Sequence, residues 1–133
     1  MVAGRGPLRG VLPRAKIKPM DSEPVVAQTD VAGLPAEFGP GTVLLDVRED
    51  DEWQRGHAAD ARHIPMGEVP ARLNEIDPQA TLYVICKVGG RSQQVAKFLA
   101  GNGYKAVNVS GGMLAWANAG RSVVTDNGCS GSV

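Results

Sequence analysis

The residues with the most evident chemical potential lie in one short stretch, where two glycines, an arginine and a serine follow closely after Cys86. A thiol attacks as its thiolate, and backbone N–H groups at a helix start stabilise that anion together with nearby cations. The glycines allow a tight turn whose N–H groups converge on one point. We therefore predict a nucleophilic thiolate at Cys86 inside an anion-binding loop. The loop residues are Lys87, Val88, Gly89, Gly90, Arg91 and Ser92.

The competing interpretation of Cys86 is a buried structural thiol, because cysteine is one of the most buried residue types. The residues that follow it argue for chemistry instead. Lys87 and Arg91 supply positive charge, and Ser92 is a suitable cap for a helix that starts there. Such surroundings lower the pKa of cysteine from about 8.5 by roughly one to several units. The same cradle would hold a second sulfur atom attached to the first.

The elements that position this loop alternate between strands and helices. Apolar runs predict strands at 25–29, 42–47, 81–85 and 105–109, with a short one around 62–64. Helical stretches are predicted at 31–38, 49–55 and 68–76, after the cysteine loop as far as Gly101, and from Gly111 to Asn118. Alternation at these intervals needs crossover connections, which indicates an α/β domain with a mostly parallel sheet. Ligand sites of such sheets lie at the carboxyl ends of strands, where Asp46, Arg48 and Cys86 fall.

Charge is unevenly distributed along the 133 residues, although the formal net charge is zero. Five of the fourteen Lys and Arg residues precede Asp21, which leaves nine in the rest of the chain against fourteen Asp and Glu. This acidic remainder argues against a nucleic-acid partner. The sequence contains no run of about 18 apolar residues, so we expect no membrane partner either.

Three segments are expected along the chain. Residues 1–20 combine glycine, proline and basic residues without periodicity, which predicts a flexible basic leader. Residues 21–120 form the predicted domain, and the small, polar residues 121–133 form a predicted flexible C-terminal tail. Two cysteines and the lack of an apolar secretory signal suit the reducing cytoplasm. Cys129 in the tail is either an exposed thiol without a role or a second thiol that exchanges with Cys86.

Short motifs follow one another in a specific order over residues 24–120. They are Asp46-Val-Arg48-Glu49, Glu52-Trp53 with Gly56-His57, Ile64-Pro65, Cys86-Lys-Val-Gly-Gly-Arg91-Ser92, and Gly111-Gly112 with Ala115-Trp116. In this combination they resemble the single-domain rhodaneses, a family of sulfurtransferases. The resemblance implies a rhodanese-like three-layer α/β fold, in which helices flank a mostly parallel five-stranded sheet.

The resemblance also implies a reaction. The Cys86 thiolate would take the outer sulfur of a small sulfur-containing anion such as thiosulfate, and the resulting persulfide would pass that sulfur to an acceptor. Cyanide would be the acceptor in vitro, and a thiol or a protein the acceptor in the cell. By matching positions, Arg91 would stabilise the anionic donor, while Asp46 and Arg48 would support the loop or form a structural capping pair. No cofactor and no metal is implied.

The stretch from His57 to Pro65 departs from the family pattern, because Ala58, Asp60 and His63 replace an isoleucine, a glycine and an asparagine. We expect this change to affect local packing rather than chemistry. Two histidines without a cysteine or a further histidine at ligand spacing argue against a zinc site. Structural hydrogen bonds are therefore the expected role of both rings.

Two other functions compete with sulfur transfer. Cysteine phosphatases, including arsenate reductases, share this fold and also combine a thiolate with an arginine, generally with five residues between them, whereas four separate Cys86 from Arg91. The shorter loop suits one sulfur atom better than a tetrahedral phosphate. The other alternative is a non-catalytic binding module or sulfur carrier, which would keep the same cysteine and arginine and react poorly with thiosulfate.

Overall fold

A single sheet of five strands forms the centre of the computed structural model, which describes residues 26–133. The predicted leader, residues 1–20, and the first residue of the first predicted strand lie outside the described residues. Each strand occurs where an apolar run predicts it, with small differences at the ends. The strands are β1 (Ala27–Asp30), β2 (Thr42–Asp46), β3 (Arg62–His63), β4 (Thr81–Ile85) and β5 (Lys105–Ser110).

The sheet is parallel throughout, with strand order β1-β5-β4-β2-β3. Three α-helices connect or follow strands, namely α1 (Asp50–Arg55), α2 (Gly90–Gly101) and α3 (Gly112–Asn118). None of the helices in residues 26–133 is long and apolar enough to cross a membrane. The register pairs Asp46 with Ile85, so the carboxyl ends of β2 and β4 are adjacent. The predicted α/β fold with a parallel five-stranded sheet is confirmed.

Both faces of the sheet are covered, which explains the continuous apolar runs of the central strands. Leu44 and Leu45 point to opposite faces and are 0% and 1% exposed. One face packs on α2 through Val95 and Leu99, and the other packs on α3 through Trp116. Helices on both sides of one sheet give the expected three layers.

Two predicted helices are shorter or less regular than expected. The stretch 31–38 contains only a 3₁₀ turn, Val31–Gly33, because Leu34 precedes a proline and adopts an extended conformation with φ −77° and ψ 149°. The stretch 68–76 consists of two 3₁₀ segments, Met66–Glu68 and Pro70–Glu75. Pro70 stands at the start of the second segment, where its missing N–H costs no hydrogen bond.

The C-terminal segment packs back onto the domain. His57 and Val124 exchange two backbone hydrogen bonds of 2.8 Å, and the N–H of Ser132 donates to the carbonyl of Arg55 at 2.9 Å. The indole N–H of Trp116 donates to the carbonyl of Ser122 at 2.9 Å. The segment therefore lies against the end of α1, while the predicted domain limits and the mobility of the tail stay predictions.

Candidate active site

Cys86 lies directly beyond the carboxyl end of β4, at the mouth of a loop that leads into α2. Its residue surface is 1% exposed, and the backbone N–H of Gly89 donates to its Sγ at 3.1 Å. Gly89 has φ +116°, a conformation that glycine adopts without strain, and this residue turns the chain from the loop into the helix. The loop thus places the start of α2 against the sulfur, as the sequence predicts.

The surroundings of Cys86 favour its thiolate. Burial acts to raise the pKa of the thiol, but hydrogen bonds from the Ser92 hydroxyl and from the N–H groups of Ser92, Gly89 and Val88 outweigh burial and hold that pKa below its ordinary value. The donors belong to the loop and to the first turn of α2. The thiol is therefore activated mainly by hydrogen bonds rather than by a contact with Lys87 or Arg91.

Ser92 occupies a different place from the one the sequence suggests. The prediction that it caps the helix is wrong, because Gly89 is the N-cap and Ser92 lies inside α2. Its buried hydroxyl is 3.4 Å from Sγ of Cys86 and 2.6 Å from Oδ1 of Asn108, and these two atoms share its single proton. Asn108 in turn donates to the side chain of Gln28 at 3.0 Å. A chain of polar groups therefore extends from the sulfur to the edge strand β1.

The start of α3 holds the cysteine loop from the other side. The N–H of Met113 donates to the carbonyl of Cys86 at 2.8 Å, and the N–H of Leu114 donates to the carbonyl of Lys87 at 3.0 Å. Gly112 makes this approach possible, because a Cβ at that position would lie 2.3 Å from the carbonyl oxygen of Cys86. Gly112, the first residue of α3, thus allows the start of that helix to hold the backbone of the loop.

Arg91 makes a two-point ion pair with Glu52 of α1. The two nitrogens of its guanidinium donate to the two carboxylate oxygens at 2.6 and 3.0 Å. The hydrogen bond from Arg91 holds the pKa of Glu52 at about 2, well below its ordinary value of 4.5, and Glu52 raises the pKa of Arg91. The arginine predicted to contact an anionic donor is therefore already matched by an anion of the protein.

Asp46 and Arg48 form a second ion pair, deeper in the molecule. The Arg48 Nε donates to both carboxylate oxygens of Asp46 at 3.0 Å, and Nη2 donates to one of them at 2.7 Å. Arg48 Nη2 also donates to the carbonyl of Gly56 at 2.8 Å. The pair ties the carboxyl end of β2 to the end of α1, the helix that carries Glu52. Its proposed supporting role would act through that helix.

The two histidines stack on either side of Trp53, with ring centroids 3.6 Å away for His57 and 4.6 Å away for His63. His57 Nδ1 donates to the carbonyl of Trp53, and His63 Nε2 donates to the carbonyl of Arg48, both at 2.8 Å. Both rings therefore make structural hydrogen bonds, as predicted. Among residues 26–133, no group of three His, Cys, Asp or Glu is placed to hold a metal ion.

The structure brings together most, but not all, of the predicted site residues. Around the buried Cys86 sulfur lie Gly89, Ser92 and the start of α2, while Lys87, Val88 and Gly90 are exposed along the rim. Asp46 and Arg48 are buried behind the loop. Sequence reasoning missed three contributors, which are Glu52, Asn108 and Gly112. Glu52 and Gly112 stand in two of the motifs, whereas no sequence signal marks Asn108.

The chain belongs to the rhodanese family, because the family model described as "Rhodanese-like domain" matches residues 31–119. The putative sulfurtransferase YtwF of Bacillus subtilis is 45% identical over 73 residues, which are 55% of this chain and 71% of that protein. The putative sulfur carrier protein YrkF of the same organism is 42% identical over 74 residues, 55% of this chain and 40% of that protein. A crystal structure of a rhodanese-like domain protein from Staphylococcus aureus has 41% identity and a TM-score of 0.57, covering 61% of this chain and 78% of that chain.

Proposed function

We propose that this protein is a sulfurtransferase that carries sulfur as a persulfide on Cys86. A donor with a labile outer sulfur, such as thiosulfate, loads the cysteine. An acceptor then removes that sulfur; cyanide serves in vitro, and a thiol or a protein serves in the cell. Membership of the rhodanese family and the sulfurtransferase names of several relatives support this class of reaction.

The first half-reaction is a displacement at sulfur. The Cys86 thiolate attacks the outer sulfur of thiosulfate, a new Sγ–S bond forms, and the bond between the two sulfurs of thiosulfate breaks. Sulfite leaves with the electron pair, so the enzyme holds a persulfide anion and no oxidant or reductant is consumed. In the second half-reaction cyanide attacks the outer sulfur, thiocyanate leaves, and the Cys86 thiolate is restored. Dividing one transfer into two steps is the usual benefit of a covalent intermediate.

The observation that carries this proposal is the set of hydrogen-bond donors on the Cys86 sulfur. The N–H of Gly89 and the hydroxyl of Ser92 lie within hydrogen-bond distance of Sγ, which favours an anion there before any substrate is bound. The outer sulfur of a persulfide is also anionic. The rim residues Lys87, Val88 and Gly90 border the space in which it would lie, so we assign them to the anion-binding loop.

Sulfur loading tests the proposal. Three proteins are incubated with thiosulfate or with an alkyl persulfide: the wild type, Cys86→Ser and Cys129→Ser. Mass spectrometry then measures the intact mass of each. We expect one added sulfur atom on the wild type and on Cys129→Ser, and none on Cys86→Ser. A wild-type protein that gains no sulfur from either donor would contradict the proposal, and phosphate release from an aryl phosphate would favour a phosphatase instead.

A sulfur carrier is the second candidate, and one observation favours it. Arg91, the expected contact of an anionic donor, is engaged by Glu52, which suits a site that receives sulfur from a protein rather than from thiosulfate. The naming of one relative as a putative sulfur carrier agrees with this reading. A carrier would load and unload sulfur on Cys86 with persulfide donors and would turn over thiosulfate and cyanide slowly.

A further inference from the structure

The starting point is the ion pair at the mouth of the cysteine loop. The resemblance assigns Arg91 to donor binding, and the charge of Cys86 acts on its guanidinium, yet both of its bonded nitrogens face the carboxylate of Glu52. Two parallel N–H···O bonds are the strongest arrangement that an arginine makes with a carboxylate. A donor that contacts this guanidinium must therefore displace Glu52 or share Arg91 with it.

Glu52 is held in place by more than its partner. Its Oε1 also accepts the backbone N–H of Glu49 at 3.0 Å, which completes the capping box of α1, and its side chain is only 14% exposed. The far end of α1 is tied to the sheet, because Arg48 donates to the carbonyl of Gly56 at 2.8 Å. The carboxylate therefore stands at a fixed position beside Arg91 rather than on a loose surface side chain.

The charges around the Arg91 guanidinium disfavour donors that carry more than one negative charge. Glu52 is the main cause of the raised pKa of Arg91, and the negative charges of the Cys86 thiolate and Glu49 add smaller effects in the same direction. Asp50 and Asp51, which begin α1, are exposed beside them. An approaching donor therefore meets Lys87 on the rim and an arginine whose charge is already balanced by a neighbouring carboxylate. The repulsion that remains grows with the charge that the donor carries.

We propose that Glu52, acting through Arg91, selects the class of sulfur donor by disfavouring the thiosulfate dianion relative to singly charged, carbon-bound persulfides. This inference rests on the proposed function and narrows it. With a persulfide donor, the Cys86 thiolate attacks the outer sulfur, the donor's sulfur–sulfur bond breaks, and the donor leaves as a thiolate with the electron pair. Glu52 is a positioning residue here, because it touches the arginine and not the reacting atoms.

The test compares two donors on five proteins, one of which is a control. Initial rates of sulfur loading on Cys86 are measured by quenched mass spectrometry, with thiosulfate as the dianion and 2-hydroxyethyl persulfide as the monoanion. The proteins are the wild type, Glu52→Gln, Arg91→Gln and the double variant with both changes. Glu75→Gln is the control, because Glu75 is also paired with an arginine, Arg72, but does not touch the loop.

Removing the carboxylate should release the arginine for the dianion. We expect Glu52→Gln to raise kcat/KM for thiosulfate by about tenfold, mainly through a lower KM, and to change the persulfide reaction by about twofold or less. Glu75→Gln should change neither rate. Arg91→Gln leaves the Glu52 carboxylate unpaired, so thiosulfate loading should fall below the wild-type rate and should recover when Glu52→Gln is added.

The double variant keeps the proposal testable even if a single variant folds poorly, since it removes both charges together and leaves neither of them unpaired. It should load from thiosulfate within about threefold of the wild type. Two results would overturn the inference while leaving sulfur transfer intact. One is a double variant that loads from thiosulfate tenfold or more slowly than the wild type. The other is a folded Glu52→Gln protein in which the ratio of the two loading rates, thiosulfate to persulfide, is the same as in the wild type. A wild type that loads from neither donor would instead overturn the proposed function, and the inference with it.

Discussion

The two ion pairs near Cys86 use the same chemistry in opposite surroundings. Asp46 and Arg48 are 0% and 1% exposed, and the guanidinium of Arg48 also donates to the backbone carbonyls of Glu52 and Gly56. Glu52 and Arg91 are 14% and 34% exposed, and the charge of the Cys86 thiolate acts on Arg91. We call the first pair, together with Gly112, the support, and the second pair the mouth.

The difference in burial separates two roles for an arginine beside an active site. A buried pair cannot change partners, because each charge has given up its water and would be left unpaired. In a partly exposed pair, an incoming anion can compete with the carboxylate for the arginine, because both groups can be reached from solvent. The support therefore fixes where the loop and α1 lie, whereas the mouth determines which anions reach the sulfur. Changes in the support should appear as lost stability, and changes in the mouth as altered selectivity.

The largest effect is expected from breaking the buried pair with Arg48→Met. Methionine fills much of the space but leaves the Asp46 carboxylate buried without its partner, so we expect the free energy of unfolding to fall by about 3–5 kcal/mol. Urea denaturation followed by circular dichroism measures the change. Arg72→Met, which removes an arginine from an exposed ion pair, is the control and should lose far less. If the two variants lost the same free energy of unfolding, the distinction between the support and the mouth would not hold.

The cysteine loop itself was predictable because its information is local. The apolar run of β4, the cysteine that ends it and the glycines that follow are contiguous, and each acts on its immediate neighbours. The parallel sheet was predictable for a similar reason, since continuous apolar runs and long intervals between them leave few other arrangements. Asp46 and Arg48 were indicated by their place at the carboxyl end of a predicted strand, and the resemblance to rhodaneses then gave them a supporting role.

The missed residues are those whose contacts cross the fold. Glu52 and Arg91 are separated by 39 positions, and the parallel crossovers alone bring α1 beside α2. Asn108 lies in β5 and reaches Ser92 only because β5 is the neighbour of β4. The tail docks on His57 through backbone hydrogen bonds with Val124 and a 3.3 Å contact with the Asp126 carboxylate, both across long sequence separations. In each case the sequence contains the partners but not their proximity.

A smaller loss is expected from Gly112→Ala, which acts on the support from the side of α3. The added Cβ would lie 2.3 Å from the carbonyl oxygen of Cys86, so the loop must shift. We expect a loss of about 1–3 kcal/mol in the free energy of unfolding. We also expect sulfur loading on Cys86 to slow by about tenfold or more, because a small displacement of a nucleophile is costly.

Gly103→Ala is the matched control for that variant. Gly103 and Gly112 both have a positive φ, +88° and +57°, but a Cβ on Gly103 would meet no atom within 4 Å. Gly103→Ala should therefore lose stability through backbone strain alone and should load sulfur at the wild-type rate. If both variants load sulfur at the same rate, the contact between Gly112 and the cysteine loop has no part in positioning Cys86.

The smallest effect on stability is expected at the mouth, from Glu52→Gln. Solvent screens this pair, so the variant should lose under about 1 kcal/mol in the free energy of unfolding at pH 7. Because folding lowers the pKa of Glu52 from 4.5 to about 2, the stabilisation is fully present above pH 4.5 and is lost as the pH falls towards 2. Urea denaturation of both proteins from pH 7 to pH 2 should therefore show a constant difference that vanishes only at the acid end. A loss at pH 7 as large as that of Arg48→Met would make the mouth pair a structural element like the support, and its control of donor selectivity would then require another explanation.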